Sequence, residues 1–185
     1  MKRRNLIVTL TLSALFCTLI CIGSFIRIPM PNMMPMTLQT FFVLLVALLL
    51  PLKASMLATI TYMILGLIGL PIFSGGGGIG YILMPNFGFI IGFVVATTII
   101  SVITQKLKYS KLWQYIVISL IGIVVIYIIG IVYFAFITNV YNNNDYSWVW
   151  FTQTVFLPFL PKEIISVIVA SLSAYKIRPY ITKIK

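Results

Sequence analysis

The sequence predicts an all-α integral membrane protein with six transmembrane helices and both termini in the cytoplasm. Of its 185 residues, 61% are hydrophobic and 8% are charged, whereas a soluble domain carries roughly a quarter charged residues. Apolar runs of the length of membrane helices recur along the whole chain. With six passages, eleven of the thirteen Lys and Arg residues lie on the same side of the membrane as the termini. Membrane proteins keep such basic residues on the cytoplasmic side.

Composition also excludes several classes of function. The net charge of +11 lies mainly at the ends of apolar runs, so we expect contact with membrane lipid and no nucleic-acid partner. The chain has no histidine and only two acids, Asp145 and Glu163, which are too few for a metal cluster, a hydrolytic triad or a carboxylate pair. A P-loop motif is missing too. We therefore expect no cofactor, no metal and no enzymatic activity, including ATP hydrolysis.

The first predicted helix covers residues 6–26. The preceding MKRR resembles the start of a signal peptide, but 21 apolar residues exceed the roughly 7 to 15 of a signal peptide, so we expect a retained helix. Cys17 and Cys21 lie on one helix face and are expected to be free, buried thiols. Small residues at i, i+4 spacing allow another helix to approach closely. That helix could belong to this chain or to a partner subunit, and the sequence favours neither. These small residues are Ser13, Ala14, Cys17, Thr18 and Cys21.

A proline-rich segment, residues 27–36, follows. Its three prolines forbid a regular helix, and its four methionines make it apolar, so it should fold over the outer face as a structured loop. The second predicted helix, 37–50, has a length of roughly 21 Å and cannot span a hydrocarbon core of about 30 Å. Either the loop dips inward or this helix begins below the surface, and both arrangements leave an outer recess. The third helix covers 54–70.

Residues 69–93 form the most unusual stretch of the chain. It contains four consecutive glycines, at positions 75–78, and it has no charged residue. Pro71 and Pro85 lie on its two sides. Irregular backbone at membrane depth persists only where protein or a water-filled cavity covers it. The stretch is therefore predicted to line a small-molecule pocket that opens outward.

The remaining segments complete one domain, residues 1–185, without internal repeats. Gly88 and Gly92 are predicted to permit tight packing of the fourth helix. Pro158 and Pro161 are predicted to interrupt the sixth helix. The predicted elements are a fourth helix at 87–105, a fifth at 112–137, a polar outer loop at 138–147 and a sixth helix at 151–175.

Glu163 lies in the first turn after Pro161 and is the only acid in an apolar segment. An ionisable group in a membrane segment is costly and indicates function by default. The alternative is an acid stabilised by the helix dipole, worth about 0.3–1 kcal/mol. Gln39 and Asn86 are predicted to face the same outer recess, although each is individually common as a satisfied structural amide. Candidate apolar walls are Phe73, Tyr81 and Trp148.

Four segments together resemble the BioY family, the biotin-specific substrate-binding (S) components of energy-coupling factor (ECF) vitamin transporters. The resemblance covers nearly the whole chain. It implies a bacterial cytoplasmic-membrane protein that binds biotin from outside and works with a transmembrane coupling subunit and two ABC-type ATPase subunits. It also implies a partner interface at Ala14 and Thr18, where Thr18 replaces the family's second alanine. The segments are MTLQT at 36–40, GLPIFSGGGG at 69–78, PNFGFIIGF at 85–93 and PFLPKEII at 158–165.

The resemblance implies a biotin site and one departure within it. The family has Pro-Gly-Asp-x-x-Lys where this chain has Glu163 as the acid, Ser166 at the lysine position and Lys162 at the glycine position. Positions 162 and 166 lie one helical turn apart, so our hypothesis is that Lys162 supplies the displaced cation to the biotin carboxylate. The alternative is a snorkelling lysine at the membrane interface. The implied site comprises Gln39, Gly75, Gly76, Asn86, Lys162, Glu163 and Ser166.

Three alternatives stay open from the sequence. The chain could be an S component for another vitamin, because Ser166 departs from the family pattern. It could be a membrane structural or assembly protein without a ligand, which predicts that residues 75–78 tolerate side chains. An intramembrane enzyme is the weakest alternative, since no nucleophile and base pair is visible.

Overall fold

The structure is a computed structural model that describes residues 2–30, 34–107 and 111–181. Pro31 and Met33 of the proline-rich loop, and Lys108, Lys183 and Lys185 of the basic segments, lie outside the described residues. The described chain is mostly helical. Its elements are α1 (Lys2–Phe25), β1 (Arg27–Ile28), β2 (Met36–Thr37), α2 (Gln39–Leu49), α3 (Leu52–Leu67), a 3₁₀ helix (Ile79–Leu83), α4 (Phe87–Lys106), α5 (Leu112–Ala135), α6 (Trp148–Phe151) and α7 (Leu160–Ile181).

Four helical segments of the described chain are long and apolar enough to cross a membrane. The second and third predicted helices, α2 and α3, are shorter apolar helices. α2 has 11 residues, about 16 Å at 1.5 Å per residue, which agrees with the prediction that this helix does not span alone. The four long segments are Leu6–Phe25, Phe87–Lys106, Leu112–Tyr141 and Trp148–Tyr180.

Two predicted boundaries were wrong near the polar loop. α5 continues as a π-helix, Phe136–Tyr141, so the loop predicted at 138–147 begins after Tyr141. The sixth helix begins at Trp148 rather than at residue 151. It passes through a π-helix at Thr152–Phe156 and a 3₁₀ turn at Leu157–Phe159 that contains Pro158, so the helix type changes without the helix ending.

α2 forms the centre of the bundle. Val43, Leu44, Val46 and Ala47 have no exposed surface, because α1, α4 and α7 pack around this helix. A helix that is apolar on all sides is expected in such a position. The start of α2, which carries the first polar residues of the site, is therefore held between three longer helices.

α4 and α5 form the most extensive helix pair, and glycines allow it. A Cβ at Gly88 would lie 2.3 Å from the Tyr133 Cβ, and one at Gly92 would lie 3.0 Å from the carbonyl oxygen of Ile126. Neither neighbour is the far end of a flexible side chain, so a side chain at either position would separate the helices. The predicted tight packing at both glycines is confirmed.

The small residues of α1 divide between two environments. Ser13 and Cys17 are buried in the bundle, and Ser13 donates a hydrogen bond of 2.9 Å to the carbonyl oxygen of Ala54 on α3. Ala14 and Thr18 are exposed. Both cysteines are free, as predicted, with Cys17 buried and Cys21 partly buried. α1 thus uses one set of small residues for internal packing and leaves another uncovered.

Candidate functional site

A polar cavity lies at the end of the bundle where the proline-rich loop, the glycine segment (residues 69–84) and the start of α7 meet. Four predicted site residues line it: Gln39, Asn86, Lys162 and Glu163. The cavity volume is about 30 Å³, which accommodates roughly two water molecules. A vitamin-sized ligand therefore requires movement of the lining, and the loop segments are its least regular part.

Glu163 is the charged group at the centre of this polar cavity. The residue is 3% exposed. One oxygen, Oε1, accepts hydrogen bonds from the Thr40 hydroxyl at 3.2 Å and the Tyr127 hydroxyl at 3.1 Å. The Lys162 ammonium lies 2.6 Å from the same oxygen. The second oxygen, Oε2, is buried and has no hydrogen-bond partner among the described residues.

Asn86 supplies a second buried acceptor. It precedes α4 at a position where asparagine commonly caps a helix, but its side chain makes no capping bond. Its Oδ1 atom is buried and has no partner in the described part of the chain. Buried polar atoms are almost always hydrogen-bonded. Two unpaired acceptors around one cavity therefore suit a ligand that offers N–H or O–H donors.

The Lys162 ammonium contacts three acceptors within the protein. Besides the contact with Glu163, its ammonium donates to the Thr37 carbonyl oxygen at 3.1 Å and to the Thr40 hydroxyl at 3.3 Å. An ammonium has three donor hydrogens, so each has an acceptor. Because Thr37 belongs to β2, the lysine also ties the proline-rich loop to α7. Its direct contact with a ligand carboxylate stays a prediction.

Gln39 lines the cavity with both ends of its amide engaged. Its Nε2 donates to the Tyr62 hydroxyl at 2.5 Å, and its Oε1 accepts from the Thr37 hydroxyl at 3.1 Å. The Tyr62 hydroxyl in turn donates to the Ile72 carbonyl oxygen at 3.3 Å. Gln39 therefore connects α2 to the glycine segment through Tyr62, in addition to bordering the cavity.

The glycine segment reaches the cavity through Ser74 and Tyr81. Gly75 and Gly76, the two glycines predicted for the site, are not among the residues that line it. The closest backbone approach occurs instead at Gly77, where a Cβ would lie 2.1 Å from the Leu70 carbonyl oxygen.

Several backbone groups of this segment are hydrogen-bonded to each other or to the end of α3. Phe73 and Gly76 exchange backbone hydrogen bonds of 2.9 and 3.1 Å, and the Gly78 N–H donates to the Gly66 carbonyl oxygen at 2.7 Å. Gly76 and Gly78 have φ values of +122° and +103°, which strongly favour glycine. The predicted irregular loop is thus a hydrogen-bonded structure.

Three other predicted residues lie away from the cavity lining. Ser166 is buried, 4% exposed, one turn along α7 from Glu163. Of the candidate apolar walls, Tyr81 lines the cavity, whereas Phe73 is buried against Tyr62 and Tyr81. Trp148 is 64% exposed, so it is not a wall of this cavity.

The sequence interpretation missed Thr40 and Tyr127, which hold Glu163. Both are nearly fully buried. A signal existed for Tyr127, because a tyrosine within an apolar helix needs a partner for its hydroxyl. The identity of that partner depends on how α5 packs against α7. Within the described ranges, no group of three or more Cys, Asp or Glu side chains lies together to hold a metal ion.

Comparison with known proteins gives consistent matches over nearly the full length. The model of the BioY family matches residues 1–183. A probable biotin transporter BioY of Lysinibacillus sphaericus is 36% identical over 80% of this chain and 75% of its own length. The biotin transporter BioY of Thermotoga maritima is 33% identical over 90% of this chain and 93% of its own.

The fold is also known from a crystal structure. The S-component for biotin from an ECF-type ABC transporter superposes with a TM-score of 0.85 at 25% sequence identity. The match covers 97% of this chain and 95% of the other.

Proposed function

This chain belongs to the BioY family, and on that premise we propose that it takes up biotin as the S subunit of an ECF-type transporter. The observation that carries the proposal is the pair of buried acceptors at one cavity, Glu163 Oε2 and Asn86 Oδ1, which have no hydrogen-bond partner among the described residues. The ureido ring of biotin offers two N–H donors. Pairing them with these acceptors removes the cost of two buried polar atoms without partners, about 1–3 kcal/mol each.

The proposed site extends over the residues that the resemblance implies. Glu163 and Asn86 contact the ring, Lys162 neutralises Glu163, and Gln39 borders the site from α2. Gly75 and Gly76 shape the turn that presents Ser74. Ser166 lies one turn further along α7 and supports the site without lining it.

We propose that the chain crosses the cell membrane six times and that both termini lie on the cytoplasmic side. The two short helices, α2 and α3, would complete the six together with the loops that precede and follow them. The distribution of basic residues supports this orientation. Arg178 contributes at the cytoplasmic end, where it donates to the Tyr115 hydroxyl at 3.1 Å and the Thr104 carbonyl oxygen at 2.5 Å.

The partners proposed are the ECF transmembrane coupling subunit and two ABC-type ATPase subunits. The exposed pair Ala14 and Thr18 supports a docking face on α1. The Thr18 hydroxyl bonds to the Ala14 carbonyl oxygen at 3.0 Å, so the threonine presents a small surface without an unpaired polar group. Ala14→Trp should abolish co-purification with the coupling subunit, whereas Val124→Trp on the exposed face of α5 should not. Equal effects of both changes would contradict this interface.

The direct test of biotin binding uses the purified protein in detergent. Mass spectrometry should identify biotin as the retained small molecule, and a calorimetric titration of the ligand-free protein should show saturable binding of biotin. Thiamine, a vitamin without a ureido ring, serves as the control and should not bind. Absence of retained and titrated biotin, or saturable binding of thiamine instead, would contradict the proposal.

A further inference from the structure

We propose, building on biotin as the proposed ligand, that Arg27 receives the carboxylate at the far end of biotin. Biotin pairs a neutral ring with an anionic tail, and a carboxylate out of bulk water needs a cation or N–H donors. Lys162 lines the cavity, but its ammonium already has three protein acceptors. The tail therefore needs a second cation at the rim of the site.

Arg27 occupies that position because two elements bring it to the cavity lining. Its Nη1 donates to the carbonyl oxygen of Ser74, and Ser74 lines the polar cavity. In the β1–β2 ladder, Arg27 is also the direct partner of Thr37, a second lining residue. The guanidinium thus lies where the glycine segment and the proline-rich loop approach each other.

The guanidinium has the capacity for a ligand. Arginine carries five N–H donors in a planar fork, and among the described residues Arg27 makes one hydrogen bond. Its side chain is exposed, so an arriving anion can reach the other donors. A planar fork matches a carboxylate with two parallel hydrogen bonds. In the proposed orientation, Arg27 is also the only basic residue on the outer side, and Lys162 lies within the sixth segment.

A neighbouring cavity offers the tail a different path. It has a volume of about 150 Å³ and shares Met34 and Phe159 with the polar cavity. Its polar lining residues are Gln153 and Thr154, and none of its lining residues is charged. This cavity suits an uncharged chain better than a carboxylate, so the location of the cation favours the path toward Arg27.

The test compares biotin with biotinamide, in which the carboxylate is replaced by a neutral amide. Binding of both ligands is measured by calorimetry for the wild-type protein, Arg27→Gln, Arg27→Lys and Lys53→Gln. Lys53 is an exposed lysine at the start of α3, at the opposite end of the bundle, and serves as the matched loss of a positive charge.

Arg27→Gln should weaken biotin binding about tenfold or more, the effect of losing a hydrogen bond to a charged group, and should change biotinamide binding less than twofold. Arg27→Lys should be intermediate, and Lys53→Gln should match the wild type. Retained biotinamide binding shows that the variant is folded. An equal loss for both ligands would assign Arg27 only to holding Ser74, and no loss for biotin would place the tail elsewhere. Either result overturns the inference, whereas a wild-type protein that binds neither ligand contradicts the proposed function.

Discussion

Replacement of Glu163 by glutamine should weaken biotin binding roughly 10- to 150-fold. Glutamine keeps the shape of the side chain and one oxygen, which can still accept from Thr40 and Tyr127. The change replaces an ionised acceptor with an amide. A ring N–H of the ligand then loses a charge-assisted hydrogen bond, worth about 1.5–3 kcal/mol, and 1.4 kcal/mol corresponds to a factor of about ten.

The affinity is measured by calorimetry on the ligand-free protein in detergent, with Asp145→Asn as the matched control. Asp145 is the other acid in the chain and lies exposed in the polar loop, so its neutralisation should change the affinity less than twofold. Elution as a monodisperse species in gel filtration verifies that each variant is folded.

A milder substitution distinguishes the loss of a ligand contact from a folding defect. Tyr127→Phe removes one donor to Oε1 and leaves the carboxylate and its lysine partner in place. This hydrogen bond is made to a charged group and is worth about 1.5–3 kcal/mol, but it holds Oε1 rather than the ligand, so the affinity should fall by less than for Glu163→Gln. If folded Glu163→Gln protein binds biotin with wild-type affinity, this carboxylate does not contact the ligand, which contradicts the proposed pairing of Oε2 with a ring N–H.

Two further changes test the surroundings of the site. Gly77→Ala should lower both the melting temperature and the biotin affinity, because the added Cβ would lie 2.1 Å from a backbone oxygen. Gly80→Ala, whose added Cβ would have no atom within 4 Å, should leave thermal unfolding and calorimetric titration unchanged. A larger effect of Gly80→Ala than of Gly77→Ala would contradict the described structure of the loop. Lys162→Ala should reduce biotin affinity by leaving its neighbouring carboxylate unneutralised, and an added Ser166→Lys, one turn further along the same face of α7, should recover part of the loss. Wild-type affinity of Lys162→Ala would remove this lysine from the site.

The sequence was sufficient to predict the order of the helices and four polar residues that line the cavity, Gln39, Asn86, Lys162 and Glu163. Charged and amide groups are rare in membrane segments, so Glu163, Gln39 and Asn86 stood out without any knowledge of packing. Their partners did not, because Thr40 and Tyr127 are common residue types whose roles depend on how α2 and α5 pack against α7. A contact across 36 or 123 positions of sequence, as for Tyr127 and Thr40, leaves no local signal.

The glycine run shows a second limit. Four consecutive glycines are equivalent in a sequence, but the structure gives them different constraints. Gly77 is required by a close backbone approach, and Gly76 and Gly78 by positive φ values. Gly75 has neither constraint, since a Cβ there would be 3.4 Å from the Tyr81 ring. A substitution therefore tests a different constraint at each of the four positions.

The helix types on either side of the polar loop also could not be predicted. Propensity and hydropathy predict that a segment is helical but contain little information on whether its hydrogen bonds are of the α, π or 3₁₀ kind. Phe136–Tyr141 and Thr152–Phe156 are π-helices on either side of the polar loop. Such turns are rare and occur frequently at functional sites. Here the second one lines the cavity that adjoins the polar cavity.

The hydrogen bonds around Glu163 explain how a buried carboxylate can bind the uncharged ring of the proposed ligand. An isolated ionised carboxylate out of water is costly, and Lys162 at 2.6 Å offsets that cost. Thr40 and Tyr127 hold the same oxygen, so the other oxygen has a fixed direction before a ligand arrives, which lowers the cost of binding. A ring without N–H groups leaves buried acceptors unpaired, at about 1–3 kcal/mol each. In the proposed site, the inner acceptors therefore select for the donors of the ring, and the proposed contact with Arg27 recognises the charge of the ligand separately, at the rim.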